Sequence, residues 1–423
     1  MAACLMKPGL LFISPVFPSP DGPGLAMRPY CQIVSLSRLY SIHLLVAGTS
    51  PEKPRYDGDI GKYCDRIDYI CRYGYSGWKF SLWHRGLRFM DKIKHLVKGD
   101  DLCFAVDLGD SSCLRHDTIL TMIAGMEFER VHTFRLYLGP VAETLMKKGL
   151  KSFYSLDIDD IESETRKSIS GLLAENGDSA QASGLSEEAK IFFNVEKQKI
   201  PNYDQIFICS RRDRDILQNR FPDKVITVLP NVIPITKGTR NRRTNSFFTM
   251  LFVGTMGYYP NTDAVMFFAE QIAPILREES PQPWRLHVVG SLPEKAWIKQ
   301  FESVSEIEFP GWVNDLSLEY DAADIIIVPI RGGGGTRIKI LEAFARGIPV
   351  VSTSKGAEGL DIENGAHLLI EDTPRLFAEA CIRLMKDHQL GDELSRKAFS
   401  LVAAKYSPEI VNRVWTEQSP ELD

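Results

Sequence analysis

The segment IIIVPIRGGGGTRIKILEAFARGIPVV, residues 325–351, limits the possible folds of this chain more than any other stretch. A short β-branched run ends at Pro329, four glycines follow at 332–335, and apolar residues then recur at helical spacing until Gly347 and Pro349 stop the helix. Val350 and Val351 open another β-branched run. Strand, glycine loop, helix and strand in that order form a crossover unit, whose two strands run parallel with the helix on one face of the sheet.

The alternation extends in both directions. Strands are expected at Thr249–Val253, Arg285–Val289, Ile307–Phe309 and Asp324–Pro329, with helices over Asn261–Glu278, Glu294–Phe301, Leu316–Ala322 and Arg337–Arg346. In the first half the expected strands are Leu10–Ser14, Ser41–Ala47, Asp68–Cys71, Asp101–Val106, Arg130–Thr133, Lys151–Leu156 and Gln205–Cys209, with a helix over Met27–Leu39. The polar, basic segment Thr236–Ser246 has the composition of a connection. The predicted fold class is α/β, with two Rossmann-like, doubly wound domains at residues 1–235 and 236–405. A C-terminal helix over 406–423 can cross back to the first domain. Ser170–Lys190, rich in Gly, Ser, Ala and acidic residues, is expected to be a mobile surface excursion.

A chain of 423 residues exceeds one ordinary hydrophobic core, and 44% hydrophobic with 25% charged residues describes a globular protein. The net charge of -5 gives no global attraction to nucleic acid, so none is expected as a partner. The eight cysteines show no C-x-x-C spacing and no histidines at zinc-finger intervals, so no structural metal is expected. The first apolar run, Gly9–Phe17, is interrupted by Ser14 and Pro15, unlike a signal peptide, and no apolar run approaches the length needed to span a bilayer. A cytoplasmic location is expected, with any membrane contact peripheral. Trp78–Lys98 interleaves aromatic and aliphatic residues with Lys and Arg, which suits either a helix lying on an anionic membrane surface or one packed on the first domain.

The glycine loop carries the chemical reading. Without a Cβ, its backbone amides approach a bound anion closely, and the helix beyond it aims its positive dipole end at the same place. Thr336 is a plausible N-cap, and Arg337 and Lys339 add cations beside the loop. The plain alternative is a tight strand-to-helix turn with a solvated lysine.

At these residues the chain resembles glycosyltransferase family 4, in the branch with G-G-G-x-R-x-K-x-L-E-A-x-A-x-G-x-P-V-V, matched by Gly333 to Val351, and a following G-A-E-G loop, matched by Gly356, Ala357, Glu358 and Gly359. The resemblance implies a GT-B architecture, two Rossmann-like domains facing a central cleft. It implies a retaining hexosyltransferase that takes its sugar from a nucleoside-diphosphate sugar without a metal ion or other cofactor. Glu342 would hold the donor ribose hydroxyls, since a carboxylate accepts two such bonds. Relatives carry a Glu-x7-Glu pair, but the position eight before Glu342 is Gly334. Backbone amides of Gly332–Gly335 and Gly356–Gly359 are then expected at the sugar, and Glu358 sits at a different offset. The basic pair that relatives place after the first strand of the second domain is also missing from GTMGYYPN, residues 254–261, which leaves Arg337 and Lys339 as the diphosphate candidates. By the same resemblance Gly254 and Gly290 border the donor, and the nucleobase lies near Gly290, Trp312 and Val313. Trp312 reads equally well as a core residue.

Before residue 225 the resemblance weakens, as suits a domain that reads the acceptor. Gly22 and Gly24 in the first loop are candidates for close approach to the donor phosphate or acceptor, and Arg28 for pairing with an anionic group or, equally, for an ion pair at the surface. DIDDIES, residues 157–163, concentrates carboxylates after a strand. Asp157 and Asp160 are assigned to acceptor binding or orientation, with the catalytic set completed by Arg337 and Lys339. His132, at the end of a strand, is the one histidine assigned to the acceptor, although a packed, uncharged histidine is the favoured reading. A D-x-D pair also suits a divalent cation held against a diphosphate. A nucleotide-sugar epimerase and a non-catalytic sugar-nucleotide-binding subunit remain alternative readings, and the acceptor, whether glycan, lipid-linked or small molecule, is not specified.

Overall fold

The computed structural model describes residues 7–22, 24–50, 59–71, 116–235, 246–291, 295–301 and 303–418. The expected strand Asp101–Val106 and the Trp78–Lys98 segment lie outside them, as does nearly all of the basic connection. Two compact units form, one from Met1–Ser163, Ser183–Pro230 and Pro408–Asp423, the other from Glu164–Ala182 and Asn231–Ser407.

The first unit holds strands β1 (Gly9–Ser14), β2 (Ser41–Gly48), β3 (Arg66–Cys71), β4 (Arg130–Phe134), β5 (Phe153–Asp157), β6 (Gln205–Ile208) and β7 (Val225–Val228), in the order β3-β2-β1-β4-β5-β6-β7. All described pairings are parallel. Its helices are α1 (Gly24–Leu36), α2 (His116–Met122), α3 (Gly139–Lys147), the start of α4 (Glu162–Glu175), most of α5 (Ser179–Lys199), and α6 (Arg211–Arg220). Leu10 to Ile13 of β1 are fully buried without alternation, as a strand covered on both faces requires.

The second unit holds β8 (Phe248–Val253), β9 (Trp284–Val289), β10 (Ile307–Gly311), β11 (Ile325–Val328), β12 (Val350–Ser352) and β13 (Leu369–Ile370), ordered β10-β9-β8-β11-β12-β13 and again parallel. Its helices are α7 (Tyr259–Phe267), α8 (Ala273–Glu279), α9 (Lys295–Ile298), α10 (Leu316–Ala322), α11 (Ile338–Ala345), α12 (Ser354–Ala357), α13 (Pro374–Lys386) and α14 (His388–Lys405). The helix expected over Asn261–Glu278 is broken by a π turn at Phe268–Ile272. Pro274 has no N–H to continue the helical ladder, and the wider turn accommodates it. Gly347 ends α11 at φ +67°, its N–H bonding Phe344 O (3.1 Å) while Ile348 N–H bonds Ala343 O (2.9 Å), a Schellman closure.

The final helix, α15 (Pro408–Gln418), belongs to the first unit, where buried Trp415 stacks near Phe207 (4.5 Å between ring centroids). The segment read as a mobile excursion is instead helical in α4 and α5, with a break at Gly177 (φ +84°), and residues 164–182 belong to the second unit. Within the segment Leu172, Leu173, Ala182 and Ala189 are buried.

Candidate functional site

The order of the second sheet reverses between β8 and β11, and the crevice beyond their carboxyl ends is where such sheets bind ligands. The Gly254 loop leaves β8 there and the glycine loop leaves β11. Gly333 (φ +97°) and Gly335 (φ +70°) adopt left-handed conformations. Arg337, 8% exposed, donates from Nη1 to Gly334 O (2.6 Å) and from Nη2 to Gly332 O (3.0 Å). Its guanidinium therefore orders the loop from within. In a trans peptide the N–H points away from the preceding carbonyl, so these two bonds turn the Gly333 and Gly335 amides in the opposite direction. Gly333 N–H donates to Ser168 Oγ (3.1 Å), while Gly335 N–H has no acceptor among the described residues. Thr336 is not the N-cap. The cap residue of α11 is Arg337, and the Thr336 hydroxyl accepts from Asn231 Nδ2 (2.8 Å).

Lys339, on the first turn of α11, reaches Asn261 Oδ1 (3.0 Å) and lies over the Phe252 ring (4.1 Å). Burial, and then the nearby Arg337 guanidinium, pull its pKa down from 10.5 to about 7, with Glu342 opposing. A bound anion would restore its charge. Lys339 is half-buried, and below pH 7 the folded protein bears the cost of partly desolvating this ammonium. Between pH 7 and 10.5 the folded state sheds the proton first, and stability rises with pH. Lys339→Met is therefore expected to raise the melting temperature at pH 6 by several degrees, at about 2–4 °C per kcal/mol, with the gain shrinking toward pH 10. An unchanged or lower melting temperature at pH 6 would contradict this.

Glu342 is held rather than free, its Oε2 accepting from the Tyr320 hydroxyl (2.6 Å), and Tyr320 is buried beneath Arg346 (4.8 Å to the ring). Two of the predicted donor glycines have a packing reason of their own. A Cβ at Gly254 would meet the Asn261 side chain at 2.9 Å, and one at Gly290 (φ +140°) would overlap Gly254 O. Gly356 is likewise enclosed by Ser352 Oγ and Val328 O (2.6 Å from a Cβ), with its N–H capped by Thr353 Oγ1 (2.9 Å). Ala357 is buried, Glu358 pairs with Lys355 (2.6 Å), and Gly359 turns at φ +83°. Trp312 is 72% exposed, which overturns its reading as a core residue, while Val313 packs on the core. The sequence reading missed Asn261, Tyr320 and Ser168, none of which stands out by type or spacing.

In the first unit two arginines, Arg28 and Arg135, pair with the carboxylate cluster. Arg28 grips Asp157 with two bonds (Nε to Oδ2 2.8 Å, Nη2 to Oδ1 2.9 Å) and donates to Leu229 O (2.9 Å). Asp157 also accepts from Gln32 Nε2 (2.5 Å) and Asp159 N–H (2.9 Å) and is 0% exposed. Enclosed and fully bonded, Asp157 and Arg28 form a structural pair, which corrects their assignment to the acceptor. His132 takes the packed, uncharged form that is the favoured reading of it, not the acceptor role, with Nε2 buried and without a hydrogen-bond partner among the described residues. It is fully buried among Phe12, Phe207 and Trp415, bonded to Ser155 Oγ (2.9 Å), and burial lowers its pKa to about 3, so it is neutral.

Asp160 keeps partial exposure and pairs with Arg135 Nη1 (2.5 Å), which also reaches Asp159 (3.3 Å). Arg135 (φ +79°) and Asp159 (φ +61°) both hold left-handed backbone at the ends of β4 and β5. Gly22 (φ +124°) is exposed with open space around it, and Gly24 begins α1. Among the described residues no group of His, Cys, Asp and Glu has the arrangement of a metal site, and no helix is long and apolar enough to cross a membrane.

The stretch containing the glycine loop, Lys339 and Glu342 has relatives. Residues 248–387 match the family Glycosyl transferases group 1. Apart from the N-terminal pieces, the site described in the second unit lies within this group 1 region. Over 177 residues the chain is 27% identical to an uncharacterized 44.6 kDa protein in the cps region of Klebsiella pneumoniae, covering 40% of this chain and 45% of that one. Over 235 residues it is 24% identical to an exopolysaccharide phosphotransferase of Streptomyces coelicolor, covering 53% of this chain and 24% of that one. The chain thus spans less than half the length of these curated relatives.

Among solved structures, sucrose-phosphate synthase of Thermosynechococcus elongatus superposes with TM-score 0.70 at 15% identity, over 97% of this chain and 98% of that one. S. aureus TarM, in complex with Fondaparinux, alpha-GlcNAc-glycerol and UDP, gives 0.65 at 11% identity over 97% and 99%. Anabaena HepE, in complex with UDP-glucose, gives 0.60 at 11% identity over 97% and 99%. At such identities the likeness is one of fold, that of GT-B glycosyltransferases, with two parallel-sheet Rossmann-like units.

Proposed function

We propose that this protein is a retaining hexosyltransferase of the family 4 type, which moves a sugar from a nucleoside-diphosphate sugar to an acceptor hydroxyl. The observation that carries the reading is the convergence of the glycine-loop amides, Lys339 and the Tyr320-held Glu342 at the switch point of the second sheet, inside the group 1 region. In this reading Glu342 binds the ribose, and Lys339 and the amides receive the diphosphate. The Gly356–Gly359 loop borders the sugar, and Trp312 and Val313 border the base. The acceptor oxygen attacks the anomeric carbon on the face the phosphate leaves. The bond from that carbon to the phosphate oxygen breaks, and the departing phosphate takes the acceptor proton. Charge growing on that phosphate is stabilised by preorganised donors in place of a metal ion. Relatives associated with a cps region and with exopolysaccharide make polysaccharide synthesis the favoured setting. Asp160 remains the acceptor-side candidate.

Titration calorimetry with UDP, GDP, ADP and TDP, together with their sugars, tests the reading. UDP is the first probe because solved relatives of this fold hold it. The affinity of the nucleoside diphosphate that binds is expected to fall about tenfold between pH 7 and 8.5 as Lys339 loses its proton, and Lys339→Met to flatten that fall. No binding by any of the four would overturn donor recognition. Binding without transfer, or an epimerised sugar nucleotide formed with no acceptor present, would overturn the reaction while leaving the site.

A further inference from the structure

Helix α4 meets the glycine loop along its length, in reverse order. Thr165 faces Gly334, Ser168 accepts the Gly333 N–H (3.1 Å), Leu172 covers Gly332, and Asn176 Oδ1 accepts from Arg331 Nη2 (3.0 Å). Residues three and four apart lie on one helical face, so these four side chains make a single stripe. A Cβ at Gly334 would overlap the Thr165 hydroxyl, and one at Gly332 would lie 2.7 Å from Leu172 Cδ2. A side chain at Gly334 thus requires Thr165 to move, whereas one at Gly332 meets the flexible end of Leu172. The far end is closed by a buried carboxylate. Asp263 takes two bonds from Arg331 (Nε to Oδ2 3.0 Å, Nη2 to Oδ1 2.5 Å) and one from Asn176 Nδ2 (2.6 Å), which also reaches the Tyr259 hydroxyl (2.8 Å).

This arrangement selects which amide the loop offers. Arg337 draws the Gly332 and Gly334 carbonyls to one side, which turns the Gly333 and Gly335 N–H groups to the other. Ser168 takes the first of these. The second is left facing away from the guanidinium with no acceptor among the described residues.

We propose that α4 is a positioning element for the donor diphosphate. Ser168, supported by Thr165, fixes the glycine loop so that the Gly335 N–H is the amide presented to the phosphate. The proposal rests on the donor-binding reading above. The space next to the Gly334 Cα belongs to Thr165, which leaves no room there for a larger side chain unless Thr165 moves.

Ser168→Ala, Ser168→Thr and Gly334→Ala are tested by calorimetry with the nucleoside diphosphate that binds best of the four and with its parent nucleoside. Ser168→Ala is expected to weaken the diphosphate at least tenfold while the nucleoside changes less than twofold, and Ser168→Thr, which keeps the acceptor, to recover most of the loss. Gly334→Ala pushes on Thr165 without touching Ser168 and is expected to show the same selective loss. A folded Ser168→Ala or Gly334→Ala protein that binds the diphosphate within twofold of the parent would overturn the positioning role. Equal losses for diphosphate and nucleoside would also overturn it, since they would mark a general structural defect. If none of the four diphosphates binds the parent protein, the donor reading fails first.

Discussion

Asp157→Ala is expected to destabilise the first unit by about 3–5 kcal/mol, the usual effect of stranding one member of a buried ion pair. The Arg28 guanidinium would keep its Leu229 carbonyl but lose both bonds to Asp157, with Asp159 Oδ1, 3.6 Å from Nε, a partial substitute. Gln32 and the Asp159 N–H would lose an acceptor as well. At about 2–4 °C per kcal/mol the melting temperature falls by roughly 10 °C. Exchanging both partners for apolar residues, Arg28→Met with Asp157→Leu, is expected to destabilise less than Asp157→Ala alone, because no uncompensated charge is then buried. Denaturant unfolding of the single and double variants decides the matter. An Asp157→Ala protein within 1 kcal/mol of the parent would contradict the structural role, as would a double variant less stable than the single one.

Glu342→Ala is expected to weaken nucleoside-diphosphate binding by about tenfold to a hundredfold, the worth of one or two hydrogen bonds to a charged group. The variant also leaves the buried Tyr320 hydroxyl without the acceptor it has at 2.6 Å, so a modest loss of stability accompanies it. Glu342→Gln separates the two effects. Its amide oxygen still serves Tyr320, which keeps the fold, while the charge and one of the two acceptor oxygens are lost. If the carboxylate holds the ribose, the parent protein discriminates strongly against a 2′,3′-dideoxynucleoside diphosphate and Glu342→Ala does not. Equal discrimination in the two proteins would remove Glu342 from the ribose.

Much of this was legible in the sequence because it is local. The strand–glycine–helix–strand segment announces its parallel crossover through periodicity and through Gly347 and Pro349, and the sheet forms as that pattern requires. The Schellman closure at Gly347 follows from the same short-range chemistry. The errors arose where a residue's partner is distant in the chain. Asp157 looked like part of a solvated or ligand-bearing cluster because its partner Arg28 stands 129 residues away in the chain. The favoured reading of His132 as a packed histidine holds, with enclosing rings supplied by three other elements. Ser170–Lys190 looked like a mobile excursion because its composition is polar and small, although Leu172, Leu173, Ala182 and Ala189 in it are buried and Asn176 bonds Arg331 and Asp263.

By itself the sequence determined that this chain builds α/β units with parallel strands and a glycine loop leading into a helix that bears Lys339 and Glu342. Alternation, turn residues and spacing are properties of neighbouring residues, and they survive without knowledge of which strands lie side by side. Only the tertiary structure decided which charges are silenced and which glycines serve packing. It also decided that Lys339 is half-buried beside Arg337, with its pKa pulled down to about 7 by burial first and Arg337 second, and that Ser168 takes the Gly333 amide. Those outcomes follow from sheet order and from a helix delivered to the loop from about 165 residues earlier in the chain, information that periodicity does not contain.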